Sequence, residues 1–115
     1  MNQKHHVSQT IAKQLAEAGI VIESEYGWVG FINDNGGEYF EVKHERDSYH
    51  PRYPAPIATE ILERLPENVT IISHINDGRL IGGNMAVHGD VRVLNNSLPD
   101  ALALLLIRLK QDGLI

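Results

Sequence analysis

Ser97-Leu-Pro-Asp-Ala-Leu-Ala-Leu-Leu-Leu-Ile-Arg-Leu-Lys-Gln-Asp-Gly113 reads as one helix with both ends marked and apolar residues on two sides. Ser97 is placed to cap the start by accepting from the amide of Asp100, and Pro99 suits the first turn. Arg108 and Lys110 stand at the negative end of the helix dipole, and Gly113 allows a left-handed stop. At about 3.6 residues per turn, Leu98, Leu102, Leu105 and Leu109 form one stripe, with Ala103, Leu104 and Ile107 opposite. Burying the leucine stripe contributes about 6 to 12 kcal/mol, at about 1.5 to 3 kcal/mol per side chain. That is comparable with the net stability of a whole domain, so the segment is expected to be core.

Outward from this helix, the chain of 115 residues, 43% of them hydrophobic, is the size of a single domain over residues 1–115. Ser8 caps a first helix running to about Ala18, with Ile11, Leu15 and Ala18 on one face and Gly19 as its stop. Ile20 to Ile22 and Trp28 to Ile32 read as extended, and Asn33-Asp-Asn-Gly-Gly37 supplies a reversal into a return strand from Glu38 to His44. His44 to Pro56 reads as a surface loop. Pro56 opens a second helix in which Ile57, Ile61, Leu62 and Leu65 face inward, and Pro66 ends it.

Val69 to Ile75 and Arg79 to Ile81 form a second hairpin about the turn Asn76-Asp-Gly78, and Gly82-Gly83 marks a bulge or bend. Met85 to His88 continues the sheet, and Gly89-Asp90 turns into Val91 to Leu94 before the last helix. The expected fold is α+β, a largely antiparallel sheet of about four or five strands with three helices, in the order α-β-β-α-β-β-(β)-α.

Ile11-Ala-Lys-Gln-Leu-Ala-Glu-Ala-Gly19, Tyr53-Pro-Ala-Pro-Ile-Ala-Thr-Glu-Ile-Leu-Glu-Arg-Leu-Pro66 and the stretch from Ser97 to Ile115 stand in this order along the chain. Together these three segments resemble a family of short uncharacterised proteins of bacteria, prophages and bacteriophages. The resemblance implies an α+β domain with no nameable activity, so it carries over no catalytic residue. Tyr39 to Pro51 departs from that pattern.

Composition narrows the function classes. The net charge of −5 disfavours nucleic acid as a partner, because that affinity rests on Lys and Arg replacing counterions. With no cysteine there is no disulfide and no thiolate nucleophile. Neither an apolar leader nor a membrane span is visible, so the expected location is cytoplasmic. Glu23, Glu25, Asp34, Glu38 and Glu41 make the first hairpin acidic, a front that could steer a basic partner.

The candidate chemistry is thin. His44 and His50, with Glu41, Glu45 and Asp47, lack the spacing of a metal motif, and no metal or cofactor is assigned. His74 and His88 read as sheet histidines. Ser24, Ser48 and Ser73 lie in no Gly-x-Ser-x-Gly, and Gly36-Gly37 and Gly82-Gly83 open no phosphate-binding helix. Asn33 to Glu38 reads as a turn and not as a calcium loop. Tyr26, Trp28, Phe31, Tyr39 and Phe40 read mainly as packing aromatics, with Trp28 and Tyr39 a possible contact patch.

Two readings follow. The preferred one is a non-enzymatic interaction protein that self-associates as a homodimer through the second face of the last helix, at Leu104 and Ile107. The alternative is a small enzyme or anionic-ligand domain with Arg46, His50, Arg52 and Tyr53 around the ligand. A third use, capture of a basic protein by the acidic hairpin, ranks below both.

Overall fold

Helix α1, Gln9–Glu17, begins where Ser8 turns its Oγ to accept from the amide of Ile11 at 3.3 Å, and Gly19 closes it at φ +74°. A computed structural model describes residues 6–45, 50–76 and 79–115, with 73–76 and 79–83 described as backbone only. Among these residues the chain forms three helices and two three-stranded antiparallel sheets, one compact α+β domain.

The first sheet has the order β2-β1-β3: β1 is Tyr26–Ile32, β2 is Glu38–His44 and β3 is Tyr53–Pro54. Between β1 and β2, Asn33 Oδ1 accepts from the amides of Asn35 (3.0 Å) and Gly37 (2.8 Å), and Gly36 sits at φ +82°. The side chain of Asn33 thus holds together a turn whose backbone only glycine enters freely. Ile20 to Ile22 forms no strand. The segment read as irregular contains β3, which adds to the free side of β1 with Trp28 opposite Tyr53. Two residues are too short a run for periodicity to reveal.

Helix α2 is only Ala58–Leu62. Pro56 lies one residue before the N-cap Ile57, and the amide of Ile57 donates to Glu60 Oε1 at 2.9 Å. Ile61 and Leu65 are buried, whereas Leu62 is 38% exposed. Ile61 and Leu62 are successive residues, about 100° apart around the helix, so the two do not share a face.

The second sheet runs β4-β5-β6, with β4 Thr70–Asn76, β5 Arg79–His88 and β6 Val91–Asn95. Ser73 pairs Asn84 but Ile75 pairs Leu80, so β5 carries two more residues than β4 across that interval. Ile81, Gly82 and Gly83 stand opposite one residue, the irregularity expected at the double glycine. The turn at Asp77 and Gly78 lies outside the described residues. Gly89 at φ +59° turns β5 into β6. Strands expected in one sheet are therefore divided between two.

Helix α3, Leu98–Gln111, packs against β5 and β6 as well as against α1 and α2. Leu102, Leu105 and Leu109 are fully buried, and so are Ala101 and Ala103. The helix is apolar on both sides because it has neighbours on both. Among the described residues, no helix is long and apolar enough to cross a membrane.

Candidate functional site

Where α1 and α3 begin, their first turns come together and frame the largest cavity described, about 730 Å³. Its apolar wall is Trp28, Ala58, Leu98 and Pro99, and its polar groups include those of His6, Ser97 and Asp100. Each wall has a local cause. Trp28 sits in the middle of β1, and its Nε1 donates to the carbonyl of Val7 at 2.8 Å, which ties the segment before α1 to the first sheet. His6 is only 4% exposed, its Nδ1 lies 2.8 Å from the carbonyl of Ala55, and its ring leans on Tyr26 at 4.6 Å between centroids. A carbonyl oxygen only accepts, so Nδ1 donates in this contact.

Asp100, 7% exposed, does not serve its own helix alone: its Oδ1 accepts from the amide of Ser8, the N-cap of α1, at 2.7 Å. One carboxylate thereby bridges two helix starts that are far apart in sequence. Burial raises its pKa above the ordinary carboxylate range, with the Ser8 hydrogen bonds opposing that shift.

Ser97 departs from expectation. It occupies the N-cap with extended backbone, but its hydroxyl makes no capping bond. Ser97 Oγ is instead buried without a hydrogen-bond partner among the described residues, while the amide of Ser97 donates to Asn95 Oδ1 at 2.9 Å. Pro99 removes one of the amides that a cap would satisfy.

The residues singled out from sequence are not brought together. Arg46 lies outside the described residues, as does Ser48, and the side chains of Ser73 and His74 are not described. Arg52 donates to Glu38 Oε1 at 2.8 Å and lies over the Phe40 ring at 5.4 Å. His50 is exposed, and Tyr53 is half-buried against the core. None of these three lines the cavity. His44 pairs with Glu25 at 3.2 Å, Ser24 Oγ donates to Glu60, and His88 Nδ1 lies 3.2 Å from the carbonyl of Asn68. Among the described residues no three His, Asp or Glu side chains gather as metal ligands.

The acidic front is also partly spent: Glu38 and Glu41 sit in ion pairs with Arg52 and Lys43, and Glu25 Oε2 lies within hydrogen-bond distance of His44 Nε2. Trp28 is in the core, and only Tyr39 of the proposed aromatic patch is exposed, stacked on Phe31 at 5.4 Å.

Of the two helix residues expected at an interface, Ile107 is 7% exposed and Leu104 is half-buried against the core. Within the chain, α3 as a whole packs against β5, β6, α1 and α2. Apolar surface lies elsewhere, on the second sheet. Ile71 and Ile72 of β4 are 38% and 42% exposed. Ile72, Met85 and Leu94 lie across from one another in register, and Leu94 is exposed as well. They share the face opposite the one that carries Ala86, which is fully buried.

The cavity residues were not legible as a site. His6 precedes a helix that could have stood alone, and Ser97 and Asp100 read as ordinary cap grammar. Comparison with known proteins finds no matching family model, no matching curated protein and no matching solved structure.

Proposed function

We propose that this chain is a small non-enzymatic interaction protein of the cell interior, of the phage-associated kind its helical segments resemble, and that it self-associates as a homodimer. The supporting observation is the outer strand β4. It carries Thr70-Ile-Ile-Ser-His-Ile-Asn76, with no Lys, Arg, Asp, Glu or Pro, and among the described residues it pairs only with β5. Strands at sheet edges are normally protected by charge, proline or cover, and one without Lys, Arg, Asp, Glu or Pro invites another strand. A twofold axis sets β4 antiparallel to its own copy, which makes the edge complementary to itself and joins two three-stranded sheets into one. Ile71 and Ile72 are covered together, one on each face.

The helix surface at Leu104 is the competing location, and two substitutions separate them. The native chain is expected to run at twice its 12.8 kDa mass in light scattering after size exclusion. Ile72→Lys restores the missing edge charge and is expected to give a folded monomer, while Leu104→Glu leaves the dimer in place. A native chain that stays monomeric at about 100 μM, a concentration at which a micromolar dimer would be mostly formed, removes the proposal. A dimer lost in Leu104→Glu and kept in Ile72→Lys moves the contact back to α3.

A further inference from the structure

We infer that Asn35, at the tip of the hairpin joining β1 to β2, is a site of self-modification: the main-chain amide of Gly36 displaces the side-chain nitrogen of Asn35 as ammonia, at a rate that Asn33 sets. The site belongs to the first sheet and does not depend on self-association through β4.

The sequence supplies the reactants. Of the asparagines in the chain, Asn35 alone is followed by glycine. An amide nitrogen is a weak nucleophile, because its lone pair is shared with the carbonyl, so its surroundings decide whether it reacts. A side chain on the following residue crowds the approach of that nitrogen to the carboxamide carbon, and glycine has none. Asn35 and Gly36 are both exposed. Where a Cβ on Gly36 would stand, no atom beyond its chain neighbours lies within 4 Å, so water and hydroxide have access to the reacting group.

The chemistry balances with water alone. The Gly36 amide gives its proton to hydroxide, and its nitrogen bonds to Cγ of Asn35. The Cγ–Nδ2 bond breaks, and Nδ2 leaves as ammonia with a proton from water. The product is a five-membered imide, which water opens at one of its two carbonyl carbons. Opening at Cγ leaves aspartate. Opening at the main-chain carbon leaves isoaspartate, whose backbone runs through Cβ and Cγ and is one atom longer. In both, NH is replaced by O, a gain of about 1 Da, and a neutral side chain becomes a carboxylate.

The fold supplies the brake. The amide that must attack is engaged, since Gly36 N–H donates to the carbonyl of Asn33 at 3.0 Å. On either side of it, Asn33 Oδ1 accepts from the amides of Asn35 and Gly37, and the amide of Asn33 donates to the carbonyl of Gly37 at 2.8 Å. Freeing the Gly36 nitrogen requires this turn to open. The rate in the folded chain is therefore the intrinsic rate multiplied by the fraction of time that the tip is open.

The test follows the full chain in warm, mildly alkaline buffer by intact mass and peptide mapping. A gain of about 1 Da is expected first in the peptide that holds Asn35, as two products, aspartate and isoaspartate, separated by chromatography. Mass is the readout because Asp112-Gly113 passes through the same imide with no change in mass. The chain unfolded in guanidinium is expected to react about tenfold faster than the native chain. Asn33→Ala, with its fold checked by circular dichroism, is expected to approach that faster rate, because it removes the acceptor of two hydrogen bonds that hold the tip. Asn33→Asp keeps an acceptor oxygen and is expected to stay within about twofold of the native rate. Absence of the gain, a first gain at another asparagine, aspartate formed without isoaspartate, native and unfolded chains reacting at one rate, or Asn33→Ala no faster than the native chain each overturn the inference.

Discussion

Ser97→Ala is expected to stabilise this protein, against the usual effect of removing serine from a helix N-cap. Such a change ordinarily costs about 0.5 to 2 kcal/mol, because the side-chain oxygen was bonding an amide of the first turn. Here that bond is not made, and the oxygen is buried with no partner. An unsatisfied buried polar atom costs about 1 to 3 kcal/mol, and alanine removes it while keeping the extended backbone at φ −101° and ψ 127°. Allowing for the packing lost with the oxygen, the net gain is about 1 kcal/mol, or about 4 °C in Tm for a domain of this size. Ser8→Ala is the matched control. That serine does cap, its Oγ accepting from Ile11, so the same substitution is expected to lose about 1 kcal/mol. Urea unfolding followed by far-ultraviolet circular dichroism reads both, provided that m is unchanged. A loss of 1 kcal/mol or more in Ser97→Ala would falsify the description of its hydroxyl as idle.

Asp100→Asn keeps an acceptor for the Ser8 amide and removes the charge. The folded pKa of Asp100 is raised, so the stability it contributes is present at acid pH and is lost as pH rises through that value. The variant is therefore expected to gain on the native chain between about pH 4 and pH 7, and a constant difference in unfolding free energy across that range would refute it. Leu105→Ala, in a fully buried position of α3, is expected to cost about 2 to 5 kcal/mol, checked by the urea midpoint. A methyl group at Gly27 overlaps the ring of Pro51, so Gly27→Ala is expected to detach β3, seen as faster exchange of the Arg52 and Ala55 amides that bond β1 carbonyls.

The elements that could be read from sequence are those whose causes are local. α3 announced itself by spacing, α1 by Ser8 and Gly19, and the first hairpin by Asn33 and the glycines, all within a few residues of what they control. The double glycine of β5 was legible for the same reason. What stayed hidden depends on partners distant in the chain. The division into two sheets follows from α3 taking a sheet on one side and helices on the other, which two apolar faces allow but do not dictate. The same ambiguity made Ile107, which is 7% exposed, look available to another molecule. Leu62 fits the margin of an inward stripe, where spacing alone does not say which neighbour is buried, and it is left 38% exposed. The cavity needed His6, Trp28, Ser97 and Asp100 to converge from four places, and none of them carries a spacing that says so.

The bond from the Ser8 amide to Asp100 has a consequence for how opening events report themselves. Amides in the first turn of a helix, lacking an intrahelical acceptor, exchange with solvent by fraying. This one is held across 92 positions of sequence, by a side chain of α3. Its proton therefore reports on the contact between the starts of α1 and α3, slowing exchange at the end of α1 where it would otherwise be quickest.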